Sequence, residues 1–187
     1  MKIVIMRRVL MASRHLVSKT TDWLLWSLRA RLAKRDLGRG APAQVLVLCH
    51  GNIIRSPYAA ARLQEQSARR GLGLEVGSAG FIGPGRSCPE FAISIAREHG
   101  LDLMGHESKL LDRETLSAAA LVLVMNAEQK RALPRSTRVV VLGDLDPVRG
   151  MPRAIPDPWG KPIEVCRESY ERIDRCLSVL VEVLARA

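Results

Sequence analysis

A cysteine followed six positions later by an arginine can close on an anion, with a sulfur nucleophile on one side and a fork of N–H donors on the other. This sequence has that pair twice, as Cys49…Arg55 in Cys49-His50-Gly51-Asn52-Ile53-Ile54-Arg55-Ser56-Pro57 and as Cys166…Arg172 near the end. Spacing alone carries little, because roughly one residue in eight is arginine and four cysteines are present. Context separates the two. Cys166 to Arg172 lies within a helical pattern without glycine, where six positions rise about 9 Å along the axis and hold no shared anion. In the first match Gly51 and Asn52 tolerate left-handed backbone, so successive N–H groups can turn inward. A helix starting near Ser56-Pro57 adds its unpaired amides and positive end, and Pro57 suits that first turn. Cys49 would then face an electropositive bowl that favours thiolate. Arg55 could grip two oxygens of a phosphate, and the sulfur could attack a phosphate ester in line. An ordinary strand-to-helix turn around a buried thiol uses the same residue types, and the local pattern leaves both readings open.

The elements around the loop follow from hydrophobic periodicity. Short apolar runs at Val45–Leu48, Leu74–Val76, Ala120–Met125 and Val139–Leu142 read as strands. Between them Pro57–Arg70, Pro89–His99 and Ala127–Leu133 have helical spacing. The last segment, Ile163–Leu184, aligns Ile173, Leu177, Leu180, Val181 and Leu184 on one face. Strands alternating with helices predict an α/β fold with a parallel sheet, in which ligands sit beyond the carboxyl ends of the strands. Cys49 occupies that place after the first strand.

Composition bounds the rest. The 187 residues suffice for one domain with an appendage, expected as a basic, partly amphipathic extension over 1–42 and a domain over 43–187. Residues 1–40 carry ten Lys/Arg against Asp22 and Asp36, a balance of +8, whereas the remainder holds 19 bases and 17 acids. This asymmetry assigns an acidic partner to the arm, and an anionic membrane surface fits it. Between Leu16 and Leu28, the residues Leu16, Val17, Trp23, Leu24, Leu25 and Leu28 share half a helical wheel, with Trp26 among the polar residues opposite. A helix packed on the body, a poorly ordered extension and an organelle transit peptide are the other readings of this arm. Its apolar runs are too short to span a bilayer. Nucleic-acid binding is not expected, since charge alone supports it. The cysteines show no C-x-x-C pairing and no histidine at metal-ligand spacing. Free thiols in a reducing cytosol are expected, without metal or cofactor.

The run from Val45 to Pro57 resembles the signature of the low-molecular-weight protein tyrosine phosphatases. The likeness continues through Ser78-Ala79-Gly80, expected after the second strand, and Met125 after the third, to Asp157-Pro158-Trp159. It implies a flavodoxin-like three-layer fold, with a central four-stranded parallel sheet and helices on both faces. It also implies a cytoplasmic hydrolase that cleaves phosphotyrosine through a cysteinyl-phosphate. By the resemblance Cys49 is the nucleophile and Arg55 holds the phosphate. His50, Gly51, Asn52, Ile53, Ile54 and Ser56 complete the phosphate-binding loop, Asn52 keeping its strained shape and Ser56 hydrogen-bonding the thiolate. Ser78 supports the loop from behind, Asp157 is the general acid and base, and Trp159 lines the slot for the substrate ring. A second Asp-Pro pair, Asp146-Pro147, lacks the following aromatic, which selects Asp157.

Three departures stand out. Ile54 replaces a cysteine that in many members can form a protective disulfide with the nucleophile, so oxidised Cys49 would lack that protection. His50 stands where an apolar or small residue is common, and either shapes the mouth or is merely exposed. Ala119 and Ala120 stand where an acidic residue is usual. A thiol-linked arsenate reductase on the same fold is the nearest rival, but it needs a relay of further cysteines. A non-catalytic phosphate-binding adaptor anchored by the basic arm is the other. The resemblance implies a phosphotyrosine-bearing partner, in bacteria a tyrosine kinase of polysaccharide export. It also leaves room for peripheral membrane attachment.

Overall fold

A computed structural model describes residues 25–38, 40 and 42–186. Four parallel strands, β1 (Gln44–Cys49), β2 (Glu75–Gly80), β3 (Leu121–Val124) and β4 (Val139–Val141), pair in the order β2-β1-β3-β4. β1 is central, with Val47 opposite Ser78 on one side and Leu123 on the other. Because side chains alternate along a strand, β1 feeds two cores. Val45, Val47 and Cys49 join Leu121, Leu123 and Met125 beneath α2 (Arg55–Arg70), α3 (Glu90–Glu98) and α6 (Ile163–Leu184). Leu46 and Leu48 join Val122, Val124 and Val139 on the opposite face. There the cover is Leu116 of α4 (Arg113–Ala118) and Leu133 just past α5 (Ala127–Arg131). Burial on both faces is why β1 reads as a continuous apolar run instead of an alternating one. The flavodoxin-like, three-layer α/β arrangement is the expected one.

The differences are local. Ser78-Ala79-Gly80 ends β2 instead of following it, because this stretch pairs in register with Val47-Leu48-Cys49. The strand pattern from Leu74 to Val76 was broken by Gly77, Ser78 and Gly80, whose small side chains carry no apolar signal. α4 left no signal because none of its residues is fully buried. It is defined by its cap, Asp112 accepting from the Thr115 N–H at 2.7 Å.

The chain is also helical from residue 25 through 37, here α1. Its face of Trp26, Ala30, Ala33 and Leu37 packs inward, and Leu37 is fully buried in the core under α6. Burying such a leucine contributes about 2 kcal/mol. Trp26 donates its indole N–H to the Asp146 carbonyl at 3.2 Å. Arg138 donates to the carbonyls of Asp36 and Leu37. α1 therefore runs antiparallel to β4, its start beside the carboxyl ends of the strands. For residues 25–28 the half-wheel expectation inverts: Trp26 packs, while Leu25 and Leu28 are exposed. The reason is register, since Ala30, Ala33 and Leu37, beyond the window that set the wheel, decide which face the body takes. The rest of the Leu16–Leu28 segment lies outside the described residues.

Candidate active site

β1 delivers Cys49 to the end of the sheet, and the chain then turns through residues 50–54 into α2, which begins at Arg55 with no side-chain cap. Its first amides are left to face the loop. Asn52 has φ +52°, the only non-glycine residue with positive φ among the described residues. A left-handed residue costs about 1–2 kcal/mol, and Asn52 is held there by every polar group it owns. Its Nδ2 donates to Ser56 Oγ at 2.8 Å and Ser78 Oγ at 2.9 Å. Its Oδ1 accepts from the Lys109 N–H at 2.8 Å, and its carbonyl lies 2.8 Å from His106 Nε2. Since a carbonyl only accepts, His106 carries its proton on Nε2 in this bond. The Asn52 N–H is thereby aimed at Cys49 Sγ, 3.2 Å away, and Ser56 Oγ donates to the same sulfur at 3.0 Å. Two donors on a sulfur at the end of a helix suit an anion. At Gly80 an added Cβ would lie 2.9 Å from the Asn52 nitrogen, so only glycine at the end of β2 lets the loop approach so closely.

Across the bowl the Arg55 guanidinium is almost fully buried. It donates to the Ile155 carbonyl at 3.3 Å and pairs with the Asp157 carboxylate. Asp157 is 44% exposed at the rim, where its other oxygen accepts from the Trp159 N–H. These groups line a pocket of about 170 Å³ whose remaining walls are His50, Gly51, Ile53, Ile54, Ile82, Arg86 and Trp159. His50 is exposed at the mouth, and its carbonyl accepts from the N–H groups of Phe81 and Ile82.

The fold thus brings together Cys49, His50, Gly51, Ile53, Ile54, Arg55, Asp157 and Trp159 around one cavity, with Asn52, Ser56 and Ser78 behind it. Asp146 is elsewhere, buried against Arg172. Sequence reasoning missed Arg86, which bridges the Gly51 and Ile82 carbonyls at 2.8 and 2.9 Å and ties a second loop to the cysteine loop. It also missed His106, Lys109 and Tyr170, whose hydroxyl donates to the Ile54 carbonyl at 3.3 Å. None belongs to a short motif, so no local signal could have found them. Burial pushes the other thiols up: Cys88 to about 12, with neighbouring Cys49 contributing, Cys166 to about 11 and Cys176 to about 12.

The family model described as low molecular weight phosphotyrosine protein phosphatase matches residues 44–187. A probable low molecular weight protein-tyrosine-phosphatase EpsP of Ralstonia nicotianae is 34% identical over 138 residues, covering 70% of this chain and 88% of that protein. A protein-arginine-phosphatase of Geobacillus stearothermophilus is 32% identical over 149 residues, covering 76% and 97%. Among solved structures, Vibrio vulnificus Wzb in complex with benzylphosphonate superposes with TM-score 0.66 at 26% identity, covering 74% of this chain and 97% of that one. The chain belongs to the low molecular weight phosphotyrosine protein phosphatase family, and it is an enzyme of the hydrolase class.

Proposed function

We propose that this protein hydrolyses phosphotyrosine in proteins through a cysteinyl-phosphate intermediate. The observation that carries the reading is the single pocket in which Cys49 forms the floor, Arg55 one side and Asp157 the rim. Arg55, released from Asp157, would hold two phosphate oxygens, and the loop amides the others. The Cys49 thiolate attacks phosphorus in line; the S–P bond forms as the bond to the phenolic oxygen breaks, and Asp157 gives that oxygen its proton. Asp157, now a carboxylate, takes a proton from water as water attacks phosphorus. The S–P bond breaks, inorganic phosphate leaves, and Cys49 returns as thiolate. Ser56 stabilises the sulfur at both ends of the cycle.

The choice of an aryl ester rests on the walls. Ile53, Ile54, Ile82 and the indole of Trp159 offer apolar contact to a ring. A phosphoarginine side chain would need acceptors for its N–H groups, and against the one lining carboxylate, Asp157, the pocket sets the guanidinium of Arg86 beside Gly51. Wzb, bound to benzylphosphonate, accommodates a ligand of this ring-and-phosphonate kind. The rival arsenate reductase needs resolving thiolates, whereas Cys88 and Cys166 are held as thiols by burial. Initial rates on matched phosphotyrosine, phosphoarginine and phosphoserine peptides test the assignment. Phosphotyrosine is expected to lead both others in kcat/KM by at least about a hundredfold, a margin of the size that pocket complementarity supplies. A phosphoarginine peptide cleaved as fast or faster would overturn it.

The partner in this reading is a phosphotyrosine-bearing protein, the class the family resemblance implies being a bacterial tyrosine kinase of polysaccharide export, and the site of action is the cytoplasm. Among the described residues no helix is long and apolar enough to cross a membrane. We propose peripheral attachment to an anionic bilayer instead. Leu25, Leu28 and Leu32, 46%, 52% and 41% exposed, share the outer face of α1, with exposed Arg31 and Arg35 along its flank. Apolar side chains flanked by arginine fit the boundary between headgroups and acyl chains. The full chain is expected to sediment with phosphatidylglycerol vesicles and not with phosphatidylcholine vesicles. Leu28→Glu/Leu32→Glu should lower that affinity about tenfold or more. Equal sedimentation of the two proteins would end the proposal.

A further inference from the structure

The segment from Asp146 to Pro158 carries Asp157 to the rim of the pocket and holds four prolines, Pro147, Pro152, Pro156 and Pro158. It forms no helix or strand. Proline lacks the N–H that a ladder needs, so the backbone carbonyls here must find other donors. They find side chains. Arg55 takes the Ile155 carbonyl and Ser169 Oγ takes that of Pro156 at 3.1 Å. Arg172 takes two at once: Nη1 donates to the Ala154 carbonyl at 2.8 Å and Nη2 to that of Pro152. Its Nε donates to Asp146 Oδ2 at 2.7 Å, and both side chains are buried, Asp146 completely. At Gly143 an ideal Cβ would stand 2.1 Å from the Arg153 carbonyl oxygen, so the segment is also pressed against the 3-10 turn that follows β4.

A buried ion pair is a poor way to gain stability, because desolvation offsets the attraction unless the remaining donors are satisfied. Here one guanidinium grips both ends of a turn: the carboxylate where the segment leaves the sheet, and two carbonyls three and five residues before Asp157. We propose that Arg172, anchored on Asp146, is a positioning residue that sets where the Asp157 carboxyl stands over the leaving oxygen. The inference rests on Asp157 being the general acid. The planar fork matters, since a lysine ammonium is a point donor and cannot span Asp146, Pro152 and Ala154 together.

The test compares phenyl phosphate, whose leaving phenolate is strongly basic, with p-nitrophenyl phosphate, whose phenolate departs with little help. kcat/KM reports the step in which that group leaves, for wild type, Asp157→Asn and Arg172→Lys. Asp157→Asn should lose far more on phenyl phosphate. Arg172→Lys should lose about tenfold on phenyl phosphate and less than about threefold on p-nitrophenyl phosphate, as a misplaced acid would. A purely structural role lowers both by the same factor, because unfolded molecules are lost to both substrates alike. Equal losses, or none, in Arg172→Lys overturn the inference while leaving Asp157 as the acid. Should Arg172→Lys not fold, Asp146→Asn carries the same test, since it frees the guanidinium from its anchor at constant size. Equal losses there overturn it too. An Asp157→Asn protein with no difference between the substrates would instead overturn the acid assignment.

Discussion

Cys49→Ser protein is expected to fold like wild type and to turn over no aryl phosphate, with kcat lower by at least about 10⁴-fold. The serine hydroxyl is close in size to the thiol, and Cys49 is held at the carboxyl end of a central strand, so packing is preserved. What changes is the nucleophile. The Asn52 amide and the Ser56 hydroxyl, 3.2 and 3.0 Å from sulfur, both aim donors at the atom that attacks phosphorus in the proposed mechanism. A serine hydroxyl in the same place would need a general base to become an alkoxide, and the described residues bring none to it: Ser56 and the Asn52 N–H are donors. Substrate binding should survive, because Arg55 and the loop amides are untouched. The measurement is kcat on p-nitrophenyl phosphate beside a phosphate-binding titration. Turnover within tenfold of wild type would sink the covalent mechanism.

Asp157→Asn is expected to reduce kcat on phosphotyrosine peptides about 10²–10³-fold, within the range for a lost general acid. The substitution keeps the size of the side chain and its place beside the Trp159 N–H, but asparagine has no proton to give and no charge to pair with Arg55. The loss should appear in kcat/KM as well, because the proton is needed when the leaving oxygen departs. Initial rates of both proteins on the same peptide check it. A variant within tenfold of wild type would transfer the acid role to another group.

The two pairs of look-alike motifs show where reading a chain in one dimension stops. Cys49…Arg55 was separated from Cys166…Arg172 by neighbours alone, because a glycine, an asparagine, a preceding strand and a following helix act over a few residues. The loop and the succession of strands and helices along the chain were legible for the same reason: backbone preference and hydrophobic period are local. Asp157 was legible only through its likeness to a family, since nothing within ten residues of it says that Arg55 lies across the cavity. The spare members of both pairs, Arg172 and Asp146, had no assignment at all in the sequence. In space they meet at 2.7 Å and hold the proline-rich segment that ends in Asp157.

The sequence by itself determined the strand–loop–helix that carries Cys49, the alternation that builds the parallel sheet, and the basic excess of the first 40 residues. Only the tertiary structure decided which donors hold Asn52 in its left-handed turn, which face of α1 meets the body, and what Arg172 touches. Apart from Ser56, which lies four positions from Asn52, these are contacts between residues 18 to 120 positions apart. Their partners are polar atoms that carry no periodicity, and each is chosen by where the sheet's crossovers bring the chain back, which no short window of residues contains.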